Sequence, residues 1–160
     1  MKFNHLIEIN DPLNPLIDSL TREQLWRGLV LRAEDPVPFV TGLERCEILE
    51  RFDNGLRRLL DFGKLRVSDR VTYEPMLRVR YATEAQDAMP AATLVMTIEE
   101  PQPGLLFVRF EYDSGEPDSG DRVQEFYDRF RRNAYQEADI DTIKRIRQLA
   151  EQGRLNGSLH

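Results

Sequence analysis

One stretch, DRVQEFYDRFRRNAYQEADIDTIKRIRQLAEQG at residues 121–153, limits what the rest of the chain can be. Its pattern predicts a single helix of about thirty residues, roughly 45 Å long at 1.5 Å per residue and far longer than an average globular helix. Such a helix needs a long apolar surface beneath it. Several segments before it alternate apolar and polar residues with a period of two, the signature of half-buried strands. The expectation is an α+β fold in which a curved antiparallel sheet wraps one long C-terminal helix and leaves room for a small ligand.

Taken in order, Lys2–Ile9 reads as a strand with Phe3, His5, Ile7 and Ile9 on one face, stopped by Asp11, Pro12, Asn14 and Pro15. Thr21 and Gln24 form a capping box for a helix that runs to about Glu34, with Leu25 and Leu29 inward. Pro36 and Pro38 end that helix, and Val37, Phe39 and Val40 predict a short apolar turn or second short helix. Six further strands follow, around residues 44–53, 55–62, 67–73, 77–81, 94–98 and 106–112, with a polar connection over 114–120. Within the last helix, Val123, Phe126, Phe130 and Ala134 form one stripe, while Thr142, Ile146 and Leu149 form another about a third of a turn away. That drift predicts either a bend, placed near residues 138–141, or a helix that crosses a curved surface obliquely, and Gly153 supplies the stop. The expected organisation is one domain over 1–153 with a mobile tail over 154–160.

The hairpin around Asp53-Asn54-Gly55 decides which side chains face inward. A three-residue loop, with Gly55 free to take positive φ, would pair Phe52 with Leu56, Glu50 with Arg58, Ile48 with Leu60 and Cys46 with Phe62. A two-residue Asn54-Gly55 loop would set Arg51 opposite Arg58, and like charges facing each other are unfavourable. The three-residue loop is therefore preferred.

Composition narrows the function classes. The chain has 160 residues, enough for a core without metal or disulfide staples, and a formal net charge of −6. That acidity disfavours nucleic acid, and no apolar run is long enough to span a membrane. Its one cysteine, Cys46, fits a reducing compartment, so the cytoplasm is expected. With only His5 and His160 as histidines, there is no spaced metal set. Phosphate-binding, dinucleotide and nucleophile-elbow motifs are also missing, so no cofactor is expected.

The inward faces supply the candidate binding residues. Apolar candidates are Phe52, Phe62, Met96, Phe110, Phe126 and Phe130; polar candidates are His5, Glu50, Arg58, Asp69, Tyr73, Tyr81 and Tyr112. A mostly apolar cavity with a few aimed polar groups is the ordinary form of a ligand site. Arg58 held by Glu50 would orient a carboxylate, enolate or carbonyl; the plainer alternative is a wet cross-strand ion pair. His5 is either a general base or a hydrogen-bonded core residue. No catalytic residue is assigned. Val95, Thr97, Phe107 and Leu59 fall on the opposite face, where an apolar strip would suit a homodimer.

Three stretches, INDP at 9–12, LTREQLWRGLVLRAEDP at 20–36 and RRNAYQEADIDTIKRIRQLA at 131–150, together with DRVTY at 69–73, resemble the AtaL-like family. The order of elements resembles the helix-grip fold of the START and Bet v 1 superfamily. The resemblance implies about seven strands around the long helix, two short helices after the first strand, and a ligand between sheet and helix. Superfamily members include lipid and sterol carriers, hormone receptors, and polyketide cyclases or aromatases. It therefore implies binding of a small hydrophobic molecule, of lipid or secondary-metabolite type. The alternatives are a cyclase, aromatase or dehydratase in the same cavity, or a ligand-free interaction module.

Overall fold

The computed structural model describes residues 1–87, 89–115 and 120–156. The first strand, β1 (Lys2–Asn10), is followed by α1 (Arg22–Glu34). Six strands come next: β2 (Arg45–Phe52), β3 (Gly55–Asp61), β4 (Arg66–Glu74), β5 (Arg78–Thr83), β6 (Ala92–Gln102) and β7 (Leu105–Asp113). The chain ends with α2 (Arg122–Glu151). The strands form one antiparallel sheet in the order β1-β7-β6-β5-β4-β3-β2. Sequence neighbours pair throughout, except that β1 returns to the outer edge of β7. Parts of the expected polar connection over 114–120, and His160, lie outside the described residues.

Local chemistry sets the element ends. Thr21 Oγ1 accepts from the Gln24 backbone N–H at 3.0 Å, and Gln24 Oε1 accepts from the Thr21 N–H at 2.9 Å, the expected reciprocal cap of α1. Where a second short helix was expected, Phe39 and Val40 both donate to the Pro36 carbonyl in a turn, and Phe39 is buried beneath it. Asp121 caps α2 by accepting from the Val123 N–H.

One face of the sheet carries Ile9, Leu56, Val71, Val79, Met96, Val108 and Phe110, each at most 1% exposed. Against it pack Leu25, Leu29 and Ala33 of α1 and Ile143, Ile146 and Leu149 of α2. The two helices meet at Gly28, where a Cβ would sit 2.6 Å from the Ile146 side chain; only glycine permits so close an approach. Leu155 is also in the core, 2% exposed, so the packed chain extends past Gly153, where the free tail was expected to start.

Two expectations about register and facing change. The β2–β3 hairpin pairs Phe52 with Gly55, Arg51 with Leu56 and Glu50 with Arg57. An irregularity between Ile48 and Glu50 then brings Ile48 opposite Arg58 and Cys46 opposite Leu60. Neither predicted loop forms: the pairing of Phe52 with Gly55 leaves Asp53-Asn54 as a two-residue turn, and the bulge at Leu49 shifts the register by one more residue beyond it. Gly55 is needed for a different reason: a Cβ there would lie 2.0 Å from the Val71 carbonyl oxygen. In α2, Val123, Phe126 and Phe130 are 60%, 56% and 66% exposed. The expected inward stripe is thus outward, and a single helix runs through residues 138–141 without interruption. Its buried side is Asp128, Asp139, Thr142, Ile143, Ile146 and Leu149, one continuous face of a 3.6-residue period, so the drift that predicted a bend disappears.

Candidate functional site

Two buried polar clusters lie on the helix-facing side of the sheet. The first is built by β3 and β4, whose register sets Arg58 directly opposite Asp69. Arg58 Nε and one terminal nitrogen donate to the two Asp69 carboxylate oxygens at 2.9 and 2.6 Å, a two-point pairing of planar groups. Its other terminal nitrogen donates to the Ala33 carbonyl at 2.8 Å, satisfying a backbone acceptor left over at the end of α1. Burial pulls the guanidinium pKa down, but the hydrogen bonds to Asp69 and its charge outweigh this and hold it above the usual value.

The second cluster centres on Asp139, fully buried on α2. The Tyr112 hydroxyl lies 2.7 and 2.8 Å from its two oxygens, and His5 Nε2 lies 2.7 Å from one of them. Rings hold these groups in place: Tyr112 stacks on Tyr135 with centroids 3.9 Å apart, and His5 stacks on Phe110 at 5.4 Å. Burial raises the Asp139 pKa, against the opposing pull of its hydrogen bonds from His5 and Tyr112. The Tyr112 pKa is also raised, first by burial and then by the neighbouring carboxylate.

Arg32, in the last turn of α1, lies between the clusters. Its Nε donates to Thr142 Oγ1 at 3.3 Å. Its guanidinium lies 5.2 Å from the centre of the Tyr81 ring, which also packs against Arg58 at 5.1 Å. These groups border a cavity of about 230 Å³ lined by Arg32, Arg58, Asp69, Tyr81, Thr83, Thr93, Tyr112 and Tyr135, with Val40, Leu60 and Leu94 as apolar wall. Larger surface hollows occur beside Leu16–Leu20 and along Phe126 and Phe130, but no buried charged side chain lines either one. Among the described residues, no three His, Cys, Asp or Glu side chains gather as a metal set.

Of the candidate binding residues, Arg58, Asp69, Tyr81 and Tyr112 are on the cavity wall. His5 stands one residue behind it, linked through Asp139 to Tyr112. Glu50 is exposed and faces Arg57, so the expected Glu50–Arg58 pair does not exist; the Asp53-Asn54 turn sets Glu50 opposite Arg57, and Asp69 supplies the carboxylate. Phe52, opposite Gly55, lies on the outer face under the Arg70 guanidinium, 4.4 Å from its ring centre. Phe126 and Phe130 are on the solvent side of α2. Met96 and Phe110 are fully buried core residues, and Phe62 is half-buried past the end of β3. Tyr73 donates to Glu34 at 3.1 Å. Burial and Glu34 raise its pKa. Sequence reasoning missed Arg32, Tyr135 and Asp139. The first two lie on mixed helix faces, and Asp139 sits in the segment where a bend had been expected.

No curated protein matches the sequence. Among solved structures, the di-domain ARO/CYC StfQ from the steffimycin biosynthetic pathway superposes with a TM-score of 0.67 at 12% identity, over 94% of this chain and 51% of that one. The chain thus spans about half the length of that protein. A START superfamily protein from Mycobacterium smegmatis gives a TM-score of 0.56 at 15% identity, over 92% of this chain and 98% of the other. Ara h 8.0201, of the Bet v 1 type, gives 0.53 at 11%, over 92% and 99%. At these identities the likeness is one of fold, the helix-grip arrangement of a curved seven-stranded sheet and a long C-terminal helix. The sequence itself matches the family described as acetylaranotin biosynthesis cluster protein L over residues 7–153, nearly the whole chain, and on that ground the protein belongs to the AtaL family.

Proposed function

We propose that the protein binds one small, planar, largely aromatic molecule in the cavity between the sheet and α2. The observation that carries this reading is the wall itself: three tyrosine rings, two arginines and a few aliphatic side chains around about 230 Å³. That volume is below the usual range for drug-sized ligands, roughly 300–1,000 Å³. It favours a compact metabolite over a lipid or sterol. The mixture of flat rings and fixed donors suits a conjugated or aromatic skeleton bearing oxygen atoms.

The test is native mass spectrometry of the purified protein, followed by extraction. The expected result is a bound mass of a few hundred daltons or less that is lost on denaturation and absorbs in the near ultraviolet. Recovery of a long-chain lipid instead would count against the reading.

A second reading, an enzyme of the cyclase or dehydratase type, is favoured by the Tyr112–Asp139–His5 chain. It offers a hydroxyl on the cavity wall backed by a buried carboxylate and an imidazole, a route for moving one proton. This reading requires turnover of the extracted compound that is lost in His5→Ala and Asp139→Asn while binding persists.

A further inference from the structure

The Tyr81 side chain is 5% exposed and lines the cavity, and its buried hydroxyl has no hydrogen-bond partner. Among the described residues, Tyr81 Oη is the one buried side-chain atom without a hydrogen-bond partner that belongs to a residue lining this cavity. Buried polar atoms are almost always paired, so such an exception calls for a missing partner.

Arg32 lies beside it. Among the described residues its one hydrogen bond goes from Nε to Thr142, and no carboxylate comes within ion-pair distance of it, in contrast to Arg58, which Asp69 neutralises. The acids around it are Asp69, paired with Arg58, Asp139, held by His5 and Tyr112, and Asp113, which also lines the cavity. Arg32 therefore brings to the cavity wall a guanidinium with no direct ion pair among the described residues and two terminal nitrogens free to donate, packed against the ring of Tyr81, whose hydroxyl also lacks an acceptor.

We propose, resting on the ligand-binding reading above, that the ligand is a planar monocarboxylic acid whose carboxylate is held by Arg32 and the Tyr81 hydroxyl, with its ring system directed toward Tyr112 and Tyr135. A flat two-oxygen anion matches the fork of a guanidinium and leaves an oxygen for the tyrosine. A neutral carbonyl would satisfy the hydroxyl but leave the charge of Arg32 unbalanced. A phosphate, with more charge, would face repulsion from Asp69 and Asp113 for a single unpaired cation.

The experiment compares benzoate, 2-naphthoate and 1-naphthylacetate with their primary amides by NMR titration at neutral pH, in wild-type protein, Arg32→Met, Arg32→Lys and Tyr81→Phe. The proposal expects at least one acid to bind wild type ten or more times more tightly than its amide. It expects Arg32→Met to bring that ratio close to one, Arg32→Lys to restore part of it, and Tyr81→Phe to weaken the acid several-fold. Amides that bind as well as acids would overturn the carboxylate anchor and leave the cavity reading standing. Acid preference that survives Arg32→Met places the anion elsewhere and also overturns the proposal. If no acid or amide moves the Tyr81, Tyr112 or Tyr135 ring signals, both readings fail. Should Arg32→Met not fold, the wild-type ratio and Tyr81→Phe decide.

Discussion

At the scale of single residues, the clearest energetic feature is the Arg58–Asp69 pair, with the two residues 3% and 2% exposed. A buried pair of this kind contributes little net stability over a well-packed apolar pair, yet removing one partner strands the other charge and costs about 3–5 kcal/mol. Asp69→Ala is therefore expected to lower unfolding free energy by that order in urea titrations. Glu50→Gln, at an exposed site, should stay within about 0.5 kcal/mol. Comparable losses in both variants would mean that Glu50 has a structural role its exposure does not suggest. Asp139 makes a pH prediction of opposite sign to the ordinary carboxylate. Burial raises its folded pKa above the unfolded value of 3.8, so between those two values the folded chain holds more protons than the unfolded one. Its contribution to stability is full below the unfolded pKa and is lost as pH rises through the folded pKa. Wild type minus Asp139→Asn, followed by urea unfolding across that window, should show wild type losing stability relative to the variant as pH increases. A difference that is flat, or that grows in favour of wild type, would refute the raised pKa. His5 and Arg58 were recognisable in the sequence as polar residues on apolar strand faces. Their partners were not, since Asp139 lies 134 residues from His5 and Asp69 is set by strand register.

At the scale of elements, α2 shows where hydrophobic periodicity misleads. Its N-terminal half carries its large apolar residues outward, and its inner side there is polar, with Asp128 accepting from Gln124 and Arg131. Periodicity assigns the apolar stripe to the core because burial usually decides facing; in this half of the helix, the side that carries its one buried residue, Asp128, is polar. The C-terminal half obeys the usual rule, with Ile143, Ile146 and Leu149 all below 5% exposed. The contrast predicts mutational costs. Ile146→Ala should cost about 2–5 kcal/mol, as for a large aliphatic lost from a packed core, whereas Phe126→Ser should change stability by no more than about 0.5 kcal/mol. Thermal or chemical unfolding of the two variants checks this, and a large penalty for Phe126→Ser would place its ring in contact with the sheet. The strands were easier to read than the hairpin register. Alternation survives any even shift, but a bulge adds one residue without leaving a mark in the pattern.

For the molecule as a whole, seven strands and a long final helix were legible because each rests on local periodicity and on turn residues. The cavity was not, because it depends on how α1, α2 and the sheet meet. α1 and the C-terminal half of α2 are anchored to each other at Gly28 and Ile146, and both press on the centre of the sheet. The N-terminal half of α2 has one buried residue, Asp128, and reaches the sheet through the Tyr135–Tyr112 stack. Local opening follows the amount of buried apolar contact, so the two halves of one continuous helix should differ in stability. Native-state hydrogen exchange is expected to show amides of 143–150 opening near the global unfolding free energy, and those of 126–134 opening several-fold to many-fold faster. A bound ligand touching Tyr135 should slow exchange in the faster half and leave the slower half nearly unchanged, since only the former gains a new contact. Uniform protection along the whole helix in the unliganded protein would show that α2 docks as one cooperative unit, with its outer aromatic stripe contributing more to the fold than its exposure indicates.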